Sequence, residues 1–254
     1  MPLPSAPVHH RAYGRCPPAR EAHPQPKSQG SSRPLPQLSA HLQRPQRHPA
    51  HGSTCQRHAS RAHHRAARDG GPGDPVPEKT ALKSMQEGEV YNLTAFSMCA
   101  HNGTHIDAPF HFIKDGKTVD EICLEAFVGM AYVAEHHGIV TGDDASQILE
   151  KAKKQTPEAA KRILIKGDVE VSLEAAKVFA SSNILLLGNE SQTIGPQSTP
   201  MAVHLALLGA NVILLEGIRL LEVSEGVYLL NAAPLNLSGV DGSPCRAILI
   251  DADR

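Results

Sequence analysis

The stretch that decides the reading of this chain is His101-Asn102-Gly103-Thr104-His105-Ile106-Asp107-Ala108-Pro109-Phe110-His111. Its three histidines and its aspartate all fall at odd positions. In an extended chain successive side chains alternate faces, so a strand over this run aims His101, His105, Asp107 and His111 to one side. A helix pairs only His101 with His105, and Gly103 and Pro109 both oppose a helix. Gly103 shares the ligand face, where a missing side chain leaves room for an ion or a substrate. Imidazole nitrogens and a carboxylate oxygen suit a borderline divalent cation such as zinc or manganese. A carboxylate can bridge, so one ion or two fit the run. His111 lies farthest along and is free to act as a general acid/base, because imidazole titrates near neutral pH.

Outward from this run, strand and helix patterns alternate. Residues 90–100 and 131–135 suit strands. Residues 143–154 read as a helix capped by Asp143 or Asp144, with Ile148 and Leu149 on one face. Strands follow over 162–166, 183–187 and 211–215. Ser172 caps a helix reaching Ala180, and Thr199 with Pro200 opens another that Gly209 is placed to end. The last strands, 228–237 and 245–251, are joined by a loop of turn residues, Ser238-Gly239-Val240-Asp241-Gly242-Ser243-Pro244. His136 and His137 are adjacent and precede a glycine, which reads as a surface loop. One α/β domain is expected over 71–254.

The charge balance divides the chain. Residues 1–75 hold 11 of the 25 Lys and Arg and three acidic residues, with no Ile or Phe. Such a segment buries too little apolar surface to offset its chain entropy, so 1–70 reads as a disordered Pro/His/Arg-rich leader. A transit peptide, a nucleic-acid-binding arm and a wrongly assigned start of the reading frame are the alternatives. The remainder carries 14 basic against 23 acidic residues, which argues against a nucleic-acid-binding surface there. The Cys residues are scattered and form no CxxC pair, which argues against a disulfide framework and for a reducing, cytoplasmic setting. No apolar run reaches the roughly 18 residues that would span a membrane.

The run His101-x-Gly103-Thr104-His105-x-Asp107-x-Pro109-x-His111 resembles the signature of the cyclase family, which includes bacterial kynurenine formamidases and the similar isatin hydrolases. His204 and Glu216, twelve residues apart, resemble a second pair of ligands in that family. Ala233-Pro234-Leu235 and Gly239 to Ala247 resemble its closing strand, turn and strand, and Pro72-Gly73-Asp74-Pro75 resembles a loop near its N-terminus. Two departures stand out: no Asp-Leu-Ser-like opening motif is found, and Glu190 stands where an aspartate is common. The resemblance implies a cyclase-like swivelling β/β/α fold, a barrel-like mixed sheet flanked by helices, assembled as a homodimer or homotetramer. It implies that His101, His105 and Asp107 hold one ion, that Asp107, His204 and Glu216 hold a second, and that His111 is the acid/base. The implied activity is amide hydrolysis by metal-activated water, with zinc as the first choice of ion and manganese the second. The implied substrate is N-formyl-kynurenine, with a cyclic amide or lactone as the alternative. A metal-binding member without activity is the non-enzymatic alternative.

Overall fold

The computed structural model describes residues 75–196, 198 and 200–251. The leader, most of the Pro72–Pro75 piece and Thr199 lie outside the described residues.

Strand β1 (Glu78–Lys83) pairs antiparallel with β2 (Leu93–Ser97) in a sheet of their own. Then come β3 (His105–Asp107), β4 (Val128–Glu135), β5 (Gly138–Val140), helix α1 (Gly142–Gln155), β6 (Arg162–Lys166), β7 (Val169–Val171), α2 (Leu173–Ser181) and β8 (Leu186–Asn189). Helix α3 (Met201–Gly209) precedes β9 (Ile213–Glu216), β10 (Gly226–Asn231), β11 (Gly242–Pro244) and β12 (Ile248–Asp251). Eight of these strands form one mixed sheet in the order β11-β3-β9-β8-β6-β4-β10-β12, curled as a half-barrel. Its middle, β4-β6-β8-β9, is parallel, and antiparallel strands extend it on both sides. The expected α/β class with a barrel-like mixed sheet is therefore the architecture found.

Side-chain alternation divides the core in two. Along β6, Ile163 and Ile165 pack with the helices while Leu164 enters the opposite cluster. Along β9, Leu214 takes the helix side and Ile213 and Leu215 the other. Strands buried on both faces read as continuous apolar runs, which is why 162–166 is marked in the sequence. The strand expected over 183–187 instead starts at Leu186 and runs to Asn189, because Asn183 takes a left-handed φ of 57°. Losing one such Leu or Ile to Ala costs about 2–5 kcal/mol.

Helix ends depart from expectation for local reasons. Thr141, not Asp143 or Asp144, is the N-cap of α1. Its hydroxyl accepts the Asp144 N–H, and the Asp144 carboxylate in turn accepts the Thr141 N–H. Ala145, Ile148, Leu149 and Ala152 then form the buried stripe. Pro200, expected at the first helical position, is the N-cap of α3, so the helix starts one residue later than expected. Gly209 stays helical, and the reversal falls to Asn211 at φ 60°, a backbone region that Asn tolerates better than most residues.

Candidate metal centre

The single extended strand expected over 101–111 is not what forms. Strand geometry holds only at β3, where Ile106 enters the core while His105 and Asp107, both buried, face the other way. Gly103 sits at φ 71° and turns the chain before β3. After it, Ala108 is extended and Pro109–His111 form a 3-10 turn with Pro at its first position, where an N–H is not needed. His101 and His111 therefore fold back around Asp107 instead of lining up along a strand. Gly103 is a turn residue whose carbonyl receives bonds from His105 and Gln192. The glycine that makes room is Gly242 on β11, where a Cβ would lie 2.5 Å from His101 Cε1.

His101, His105, Asp107, His111, His204 and Glu216 converge. His101 Nδ1 lies 2.8 Å from Asp107 Oδ1, and His105 Nε2 lies 3.2 Å from the same oxygen. The β3–β9 register sets Glu216 opposite His105, with Oε2 3.4 Å from Nε2. Helix α3 delivers His204, whose Nε2 is 3.3 Å from Glu216 Oε1 and 3.6 Å from Asp107 Oδ2. Donor atoms of His101, Asp107 and His111 lie within 4.8 Å of one another, and so do those of His105, Asp107 and Glu216. Asp107 is common to both groups, but His105 falls with Glu216 and not with His101, so these triads differ from the two that the resemblance implies.

The donor chemistry fits a divalent cation. His105 Nδ1 is bonded to the Gly103 carbonyl and His204 Nδ1 to the Pro200 carbonyl. A carbonyl only accepts, so each neutral ring carries its hydrogen on Nδ1 and turns a lone pair on Nε2 toward the carboxylates. Asp107 and Glu216 are buried, and the ion-pair partners of both are histidines alone among the described residues. Two buried carboxylates without a fixed cation are costly unless a metal or protons supply the charge.

The protonation equilibria say the same. Burial opposes the charged ring of His105, yet its hydrogen bonds to Asp107 and Glu216 prevail and raise its pKa well above the usual value. His101 and His204 are raised as well, burial being outweighed mainly by Asp107 and by Glu216 respectively. Burial would raise the Asp107 carboxyl, but the bonds from His101 and His105 hold it well below the usual range. The metal-free site thus keeps protons that a cation must displace. Apparent metal affinity is expected to rise with pH above the ordinary His value of about 6.5, with about one proton or more released per ion. Calorimetric titration in buffers of different ionisation enthalpy measures this, and heats independent of the buffer would contradict it. For the metal-free fold the sign is opposite. The stabilisation from raised imidazoles is complete below the unfolded His value and is lost as pH climbs through the folded ones.

His111 occupies the rim, its side chain 28% exposed. Burial lowers its pKa against the pull of Asp107, so the ring is neutral near pH 7. Phe112 packs edge-on against it at 4.5 Å. The residue that sequence reading missed is Asp241, whose Oδ2 receives both His101 Nε2 at 2.9 Å and His111 Nδ1 at 3.1 Å. In the sequence it belongs to the closing turn and to the Gly239–Ala247 motif but carries no assigned role, and no local pattern marks a partner 130 residues away. Glu190 accepts the Gly167 and Leu220 N–H groups and so ties two loops together. His136 and His137 lie in the loop between β4 and β5, as expected, with His137 exposed.

The cyclase family matches residues 37–196. The chain is 32% identical over 201 residues to a kynurenine formamidase of Salinibacter ruber, spanning 71% of this chain and 91% of that one. A solved "potential metal-dependent hydrolase with cyclase activity" superposes with a TM-score of 0.59 at 29% identity, covering 72% of this chain and 94% of the other. Isatin hydrolase A from Labrenzia aggregata has the same fold, with a TM-score of 0.59 at 24% identity over 70% of this chain and 84% of its own. The curled sheet, the clustered donors and these similarities define one class: this chain belongs to the cyclase family. Among the described residues no helix is long and apolar enough to cross a membrane.

Proposed function

We propose that this protein is a metal-dependent amidohydrolase, with residues 71–254 as its hydrolase domain and N-formyl-kynurenine, cleaved to kynurenine and formate, as its substrate. The observation that carries the reading is the buried Asp107 carboxylate, ringed by His101, His105 and His204 beside Glu216. The kynurenine formamidase relatives support the choice of substrate.

His101, His105 and Asp107 would hold one divalent ion, zinc in the first instance, and Asp107, His204 and Glu216 would hold a second. Such an ion lowers the pKa of water into the neutral range and polarises a carbonyl oxygen. His111 is the acid/base. Neutral at rest and on the open rim, it takes a proton as water oxygen bonds to the amide carbon. It returns that proton to the nitrogen as the C–N bond breaks, leaving formate and a free amine. A homodimer or homotetramer is the proposed assembly. The exposed Val90 and Phe96 in and beside the β1–β2 sheet are apolar surface that a subunit contact would cover.

The test is to strip the purified protein with a chelator, restore zinc or manganese in turn, and assay N-formyl-kynurenine against isatin. Zinc-dependent turnover that favours N-formyl-kynurenine is expected. Faster turnover of isatin would transfer the assignment to cyclic amides. Full metal occupancy with no hydrolysis of either would leave a metal-binding protein without the proposed activity.

A further inference from the structure

We infer that Asp241 is the positioning residue of His111, holding its imidazole in the tautomer and orientation that proton transfer requires. The inference rests on the acid/base role proposed for His111.

An ionised carboxylate only accepts hydrogen bonds. With Asp241 Oδ2 at 3.1 Å, His111 Nδ1 must carry the hydrogen, and Nε2 becomes the atom that exchanges a proton with substrate and water. The ring has few other constraints on which nitrogen faces the site. His101 stacks on it, tilted by 31° with centroids 4.0 Å apart, and Phe112 meets its edge. Neither contact distinguishes Nδ1 from Nε2. Asp241 does.

The carboxylate is itself held in place. The Asp241 carbonyl accepts the Ala108 N–H at 2.9 Å, and the Ala108 carbonyl accepts the His111 N–H at 2.9 Å. Asp241 and His111 thus belong to one short hydrogen-bonded frame. On the N-terminal side, Val119 N–H donates to the Val240 carbonyl at 3.0 Å. Asp120 receives Ser238 Oγ at 2.7 Å and the Gly239 N–H at 3.0 Å. On the C-terminal side, Gly242 is in register with Asp107 in the β11–β3 ladder. A turn anchored at both ends presents its carboxylate without reorganisation, the condition under which an orienting group is effective. The same oxygen also receives His101 Nε2, so one atom sets two adjacent rings. The Asp241 side chain is 41% exposed, so its replacement leaves no buried cavity.

The experiment compares Asp241→Asn, His111→Ala and the double variant, each zinc-loaded, for kcat, KM and bound metal. Long-range proton–nitrogen NMR of the metal-free protein reads the His111 tautomer. Asp241→Asn is expected to lower kcat by about 10–100-fold, the range for partners that orient a functional side chain, with KM unchanged and the metal site still filled at saturating zinc. The double variant should be no slower than His111→Ala alone, because the two residues act as a unit. NMR should show hydrogen on Nδ1 in the wild type and a tautomer mixture in Asp241→Asn. Wild-type kcat in Asp241→Asn beside an inactive His111→Ala overturns the inference and leaves the His111 reading intact. Additive losses, or metal lost from Asp241→Asn, also overturn it, the latter assigning Asp241 to the metal centre through His101. Undiminished turnover in His111→Ala overturns the reading beneath it.

Discussion

Replacing Asp107 by alanine is expected to strip the protein of bound metal and of hydrolysis together, more completely than the loss of any other single side chain of the cluster. Its two carboxylate oxygens lie within ion-pair distance of His101, His105 and His204, and it belongs to both groups of converging donors. His105 Nε2 also lies between Asp107 and Glu216, but of the two converging groups Asp107 alone belongs to both. The fall in turnover should exceed the roughly 10–100-fold that loss of an outer partner costs. The metal-free fold suffers as well, since removing one partner of a buried ion pair costs about 3–5 kcal/mol. Asp107→Asn retains the volume and separates the two effects. It should melt closer to the wild type and still bind little metal. Elemental analysis and thermal melts read both quantities, and a full metal complement in either variant would contradict the shared role of Asp107.

His111→Ala should behave differently. Turnover should fall by about 10²–10⁴-fold, the usual contribution of a positioned acid/base, while the metal content stays near that of the wild type. The reason is position. His111 lies on the rim, bonded to Asp241, whereas His105 and His204 are buried against Glu216. The measurement is kcat with metal content on the same sample. Metal lost in step with activity would make His111 a ligand instead, which the closeness of its donor atom to His101 and Asp107 makes a pointed test.

The members of the candidate site were legible in the sequence because chemistry and spacing coincide there. Three imidazoles and a carboxylate crowd eleven residues, and resemblance added His204 and Glu216. Their path through space was not legible. Parity describes a strand, and only His105–Asp107 is one. The positive φ of Gly103 and the fixed φ of Pro109 bend the flanks, so His101 and His111 arrive by turns. Helix ends shifted for a similar reason: Thr141 could make a reciprocal cap with Asp144, and Asn211 could adopt the left-handed conformation left to it. Continuous apolar runs marked the existence of the central strands, because burial on both faces leaves no other pattern, but β8 and β9 start three and two residues later than expected, after Asn183 and Asn211 take left-handed conformations. Asp241 stands in the closing motif, but its role stayed hidden, since its partners lie 130 and 140 residues away and a turn-forming aspartate looks the same with or without them.

The central claim is that Asp107 is the shared carboxylate of a metal centre. Anomalous X-ray scattering from crystals of the zinc-loaded protein tests it most directly. Strong peaks on either side of Asp107, one beside His101 and His105 and one beside His204 and Glu216, are the predicted result. A stoichiometrically loaded protein with its anomalous peaks elsewhere, or with none at Asp107, would contradict it.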